Sequence, residues 1–208
     1  MAQTMEIGPA GPLASAAPAR APKILAVSGS LRKGSHNSKL LSAAAELFPT
    51  DVEVEFYDDL KAIPPYDEDD DVEPSPAPVA WLRAAIANAD GLLIATPEYN
   101  SSVPGQLKNA LDWASRPLAT NVLRNKPVAV IGASAGAFGA VWAQAELRKV
   151  LAATGARVLD VELAVGHAEE RFDGDGSLAD GELHEQLNEV LDTLLESIRT
   201  RALTAAAA

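Results

Sequence analysis

The chain has 208 residues, enough for one domain of ordinary size with tails, and 48% apolar residues supply a core without disulfide or metal staples. With 17 Lys+Arg against 29 Asp+Glu the formal charge is −12, which argues against a phosphate-backbone binder and a polybasic membrane anchor. The lack of cysteine excludes iron–sulfur clusters, CxxC redox pairs and a cysteine nucleophile, so redox chemistry here needs a bound cofactor.

Residues 1–22 are rich in Ala, Pro and Gly without a period, and predict a disordered extension. They lack the basic start and continuous apolar core of a secretory signal, so a cytoplasmic location is expected. Residues 23–28 (KILAVS) read as a buried strand, followed by a glycine loop and a helix over about 36–48. Residues 52–57 (VEVEFY) alternate with period two and predict a second strand. Prolines and the acidic run Asp67–Asp71 make 61–78 a solvated loop. A helix over 78–89 then leads to a third strand over 91–96, and a helix over about 104–115 to a fourth over 127–132. A helix over 138–153 leads to a fifth strand over about 156–163. A last helix covers 179–200, and 201–208 is expected to fray.

Strands alternate with helices throughout, and strands one, three and four are solidly apolar, as parallel strands covered on both faces are. The prediction is an α/β domain over 23–200: three layers, doubly wound, with a five-stranded parallel sheet in the order 2-1-3-4-5. Its ligand cleft belongs at the carboxyl ends of strands one and three.

Three loops leave those strand ends. Residues 28–38 (SGSLRKGSHNS) combine glycines and serines with Arg32 and Lys33, carry no acid up to residue 45, and run into a helix. Donors, positive charge and a helix N-terminus together make an anion site. Gly29 and Gly34 have P-loop spacing, but Ser35 and His36 follow where a lysine and a magnesium-ligating hydroxyl are required; a phosphate monoester fits better than a triphosphate. The plainer role of Ser35 or Asn37 is to cap the helix. The second loop, Thr96 to Pro104, offers Glu98, Tyr99 and Asn100 between two prolines, either a lining for a flat polar heterocycle or an ordinary turn. The third, residues 132–139 (GASAGAFG), is small enough for the backbone to approach a bulky ligand. It also matches G-x-S-x-G, which would make Ser134 the nucleophile of an α/β serine hydrolase, with His167 or His184 and Asp160 or Asp173 as partners.

The first loop, together with residues 96–113 (TPEYNSSVPGQLKNALDW) and the Gly132-Ala-Ser run after strand four, resembles the NADPH-dependent FMN reductase family of flavodoxin-like proteins. This group includes the bacterial chromate and quinone reductases, and the resemblance spans about residues 23–195. It implies bound FMN and NAD(P)H as hydride donor, with ping-pong transfer to flavin, quinone, chromate or a similar small acceptor. The phosphate would be held by Ser30, Arg32, Ser35, His36 and Asn37, and the ring would lie along Pro97, Glu98, Tyr99 and Asn100. Ala133, Ser134, Ala135 and Gly136 would complete the pocket. No side chain need act as acid or base, so no catalytic residue and no metal ligand is assigned. The resemblance further implies a homodimer or dimer of dimers, built on the helices around 104–115 and 138–153, where Arg148 resembles an inter-subunit arginine. Ser101 stands where some relatives carry an aromatic residue. A non-catalytic flavodoxin-like carrier is the remaining alternative, and NAD(P)H oxidation separates it.

Overall fold

Strands and helices alternate through residues 20–174 and 176–206, the part of the chain that the computed structural model describes. Most of the expected N-terminal extension, 1–19, lies outside the described residues. The elements are β1 (Lys23–Ser28), α1 (His36–Leu47), β2 (Glu53–Tyr57), α2 (Ala77–Asn88), β3 (Gly91–Thr96), α3 (Gly105–Ala114), β4 (Pro127–Ala133), α4 (Val141–Ala153), β5 (Arg157–Val158), β6 (Ala164–Val165) and α5 (Gly181–Ala206). All strand pairs are parallel, in the order β2-β1-β3-β4-β5, with β6 also on β4.

The register explains the layers. Successive side chains of a strand point to opposite faces. Ile24 and Ala26 of β1, with Leu93 and Ala95 of β3, therefore pack under α1 and α5 (Leu40, Leu41, Leu187, Leu194). Leu25, Val27, Leu92 and Ile94 pack on the other face against α2, α3 and α4 (Val79, Leu82, Leu107, Leu147). Both faces of β3 and β4 are buried along their whole length, which is why those strands read as unbroken apolar runs.

Two elements differ from expectation. The predicted fifth strand is split: Arg157 and Val158 pair with the start of β4, and Ala164 and Val165 pair with its end. The stretch between them bows out and is tied to α4 by Arg148, whose guanidinium pairs with Glu162 at 2.9 Å and donates to the Val161 carbonyl. Arg148 is thus occupied within its own chain. The final helix continues through Ala206, past the expected fraying point at 201; Arg201 anchors that turn by donating to the Asp90 carbonyl at 3.2 Å. The proline-rich loop is pinned to α3 by Gln106, Asn109 and the fully buried Trp113, which donate to carbonyls of Leu60, Ile63 and Pro64. Asp71, at the end of the acidic run, pairs with Arg83 at 2.8 Å, while residues 67–70 stay exposed.

At the opposite end of the sheet from the predicted cleft, Lys126 is only 3% exposed, and its ammonium caps α2 by donating to the carbonyls of Ala87 and Ala89. Burial, aided by the Arg201 charge, pulls its pKa down to about 8 from an ordinary 10.5. A lysine depressed in the fold costs stability while both states are protonated, below about pH 8. That cost is relieved as pH rises toward the unfolded value, because only the unfolded chain then holds the proton. Compared with Lys126→Met, the wild type should gain at most about 1.4 kcal/mol per pH unit between about pH 8 and 10. Urea denaturation of both proteins at several pH values checks this; parallel curves would refute it.

Candidate active site

Three loops converge at the carboxyl ends of β1, β3 and β4, around an open cleft of about 280 Å³. It is lined by Ser30, Arg32, Ser35, His36 and Asn37 from the first loop, by Pro97, Glu98 and Tyr99 from the second, and by Ala133, Ser134 and Ala135 from the third. Of the thirteen residues proposed from sequence, Asn100 and Gly136 stand outside the lining. Asn100 occupies the tip of a tight turn with φ 52°, and Gly136 faces the following segment, its carbonyl accepting from His167 N.

The first loop presents the positive end of a helix. Ser35 caps α1 by accepting the Asn37 N–H at 3.1 Å, and the remaining first-turn N–H groups face the cleft end of the helix. Arg32 is exposed and takes part in none of the ion pairs of the described residues. His36 lies 6.3 Å from the Phe172 ring, stacked within 13°, and its buried Nδ1 has no hydrogen-bond partner. Desolvation holds His36 below the usual histidine range, the charges of Arg32 and Lys39 add to this, and Glu169 opposes it. The shift favours the neutral ring, which offers a hydrogen bond instead of a charge.

Asn37 has a different task from its neighbours. It is 2% exposed, and both ends of its amide engage one residue: Nδ2 donates to the Ala133 carbonyl at 2.9 Å and Oδ1 accepts from Ala133 N at 3.0 Å. It fastens the end of β4 to the start of α1 and so holds the first and third loops at a fixed separation.

The third loop is locked from behind. Its backbone pairs with the segment after β6 through Ser134 N to Val165 O, Ala168 N to Ser134 O and His167 N to Gly136 O, each 3.0 Å. A side chain at Gly139 (φ 57°) would meet the Ala164 carbonyl carbon at 2.3 Å, and one at Gly166 would meet the Ala137 oxygen at 2.2 Å, so both approaches require glycine. This pairing carries Glu169 to the cleft, a lining residue absent from the sequence-based set. Its signal was positional: it follows a short strand whose carboxyl end opens on the same side.

Ser134 lacks the partners of a hydrolytic nucleophile. Its Oγ accepts the Gly136 N–H at 3.1 Å, and no hydrogen bond joins it to a histidine among the described residues. His167 lines a separate cavity with Arg171 and Asp180, and His184 lies on α5 beside Asn188.

The family model for NADPH-dependent FMN reductase matches residues 22–170 of this sequence. The chain belongs to the NADPH-dependent FMN reductase family. As a member it is an oxidoreductase of a family that uses FMN with NAD(P)H as co-substrate. A 2-hydroxy-1,4-benzoquinone reductase of a Burkholderia species is 42% identical over 180 residues, covering 86% of this chain and 97% of that protein. An NAD(P)H-dependent FMN reductase of Pseudomonas aeruginosa is 43% identical over 173 residues, 83% of this chain and 92% of that one. Among solved structures, a flavoenzyme NAD(P)H:(acceptor) oxidoreductase of Paracoccus denitrificans superposes with a TM-score of 0.80 at 34% identity, covering 86% of this chain and 98% of its own. The FMN reductase match spans all three cleft-lining loops, and the fold that carries them is the flavodoxin-like one expected from the strand order. No helix among the described residues is long and apolar enough to cross a membrane.

Proposed function

We propose that this FMN reductase homologue binds FMN in the three-loop cleft and oxidises NAD(P)H by a ping-pong mechanism to reduce small acceptors, quinones foremost. The observation that carries the reading is the polarity of the cleft. One pole gathers serine hydroxyls, Arg32, a helix N-terminus and an unpartnered buried imidazole nitrogen. The other is made of Pro97, Tyr99 and the backbone of Ala133–Ala135. A phosphate monoester suits the first pole, and a flat heterocycle with amide-like edges suits the second.

Bound FMN would supply the redox chemistry, two-electron transfer from NAD(P)H to the acceptor. The chain's part is to orient. Ser30, Arg32, Ser35 and His36 would hold the phosphate, Asn37 spaces the loops, and the polar edge of the ring would fall to backbone N–H groups such as that of Ala135, since those of Ala133 and Ser134 are bonded to Asn37 and Val165. Glu169 lines the same cleft, near enough to His36 to act on its charge. Quinones are favoured as acceptors because a planar ring gains from stacking, and quinone reductases stand among the relatives. The Escherichia coli K12 quinone reductase, for one, is 41% identical over 139 residues, 66% of this chain and 73% of its own. Chromate and free flavin are secondary candidates. A cytoplasmic setting, where NAD(P)H is supplied, completes the reading. Titration of the protein with FMN, followed by flavin absorbance and fluorescence, tests it; absence of saturable binding would refute it.

The reading includes a homodimer or dimer of dimers through α3 and α4. Support comes from the exposed aromatic pair Phe138 and Trp142, ring centroids 5.0 Å apart, at the start of α4 beside the cleft. Sedimentation velocity should give at least twice the chain mass, and Trp142→Glu should shift it toward the monomer; a monomeric wild type at micromolar concentration would contradict this part.

A further inference from the structure

Helix α4 begins without a cap of its own. Phe138, Gly139 and Ala140 precede it, none with a side-chain oxygen, and Ala140 at the N-cap is left-handed (φ 64°) and makes no side-chain capping bond. The first-turn N–H groups of a helix need an external acceptor. Here they find one in another loop: a single carboxylate oxygen of Glu98 accepts from Trp142 N at 3.0 Å and from Ala143 N at 3.1 Å. Negative charge is favourable at this end of a helix.

A second tie lies one turn further along α4. Ser102 Oγ donates to the Glu146 carboxylate, and this bond holds Glu146 below the usual carboxylate range. Between the two ties the chain reverses: Tyr99 and Ser102 exchange backbone bonds of 3.2 and 3.1 Å, and Asn100 and Ser101 are both left-handed, φ 52° and 58°. Asparagine takes that conformation readily and serine less so, so the turn depends on its anchored ends. The third loop feeds directly into α4, and the fully buried Gln144 holds the Gly139 carbonyl from inside at 3.1 Å. Whatever fixes the first turn of α4 therefore fixes the second and third loops relative to each other.

We infer that Glu98 is a positioning residue whose carboxylate tethers the second loop to the third through the start of α4, setting the ring half of the cleft without touching the cofactor. This rests on the proposed FMN site. The expected place of Glu98 along the ring is then filled by its backbone alone, while its side chain points into α4. Two halves of the cleft come under separate control: Arg32 serves the phosphate, and Glu98 serves the ring. Without the tether the loops part, only the fraction still closed binds, and apparent affinity falls by that fraction. The typical value of a helix cap sets the scale at roughly three- to tenfold.

The test measures FMN and riboflavin affinities of Glu98→Ala and Glu98→Gln by flavin fluorescence quenching, with amide exchange at Trp142 and Ala143 in the ligand-free protein. In Glu98→Ala both ligands should weaken by the same factor, roughly three- to tenfold, and both amides should lose protection. Glu98→Gln keeps an acceptor oxygen and should restore most of each effect, which a general loss of folding would not allow. Unchanged protection of the two amides, or weakening of FMN alone, overturns the inference. If the wild type binds neither flavin, the reading of the cleft fails on its own, and exchange at Trp142 and Ala143 still upholds or overturns the tether.

Discussion

Replacing Arg32 by alanine should weaken FMN binding roughly 10- to 150-fold while leaving riboflavin binding within about twofold. The range follows from the roughly 1.5–3 kcal/mol of a charge-assisted hydrogen bond. Arg32 is exposed and unpaired among the described residues, so its substitution breaks no internal ion pair. Solvent screening at such a position places the effect toward the lower end of the range. Riboflavin, which lacks the phosphate, is the internal control: a loss shared by both ligands would mean that Arg32 shapes the loop instead of holding the anion. Isothermal titration with the two flavins separates these outcomes. Affinity for FMN within twofold of wild type would remove Arg32 from the site.

Asn37→Ala is expected to cost roughly 2–6 kcal/mol of folding stability, a large share of what a domain this size possesses. The side chain is buried, and its removal leaves both the N–H and the carbonyl of Ala133 without their partners at the end of a fully buried strand. Each unpaired buried polar group carries its own desolvation penalty of about 1–3 kcal/mol. Asn37→Asp should fare no better, since a carboxylate keeps the acceptor for Ala133 N but sets a negative oxygen against the Ala133 carbonyl. Urea midpoints of the three proteins measure the effect. A loss under about 1 kcal/mol would show that water replaces the amide and that Asn37 is not the spacer described here.

These two neighbours show what the sequence made legible and what it did not. Arg32 and Asn37 sit in one motif that implies one task for both, because a linear pattern records which residues share a loop. It does not record which way each side chain turns. Arg32 is left outside by an exposed loop, whereas Asn37, on the inner face of the first turn of α1, meets β4 almost a hundred residues later. Glu98 repeats the lesson, since its partners at Trp142 and Ala143 are backbone N–H groups, which carry no residue-type signal at all. The sheet order was readable because β1, β3 and β4 are buried on both faces and show it as unbroken apolar runs. The split of the fifth strand was not, because residues 159–163 (LDVEL) alternate as a strand does, and the Arg148 guanidinium that reaches between the Val130 and Val161 carbonyls leaves no mark on that pattern. Glu169 escaped for a similar reason: it reaches the cleft through backbone pairing between the third loop and the segment after β6.

The function of this chain turns on whether the cleft holds a redox-active flavin. Purified protein reconstituted with FMN and freed of excess by gel filtration should be yellow, and anaerobic addition of NADPH or NADH should bleach the flavin absorbance, with colour restored by a quinone. Protein that emerges colourless after reconstitution, or a bound flavin that neither nucleotide bleaches, would contradict it.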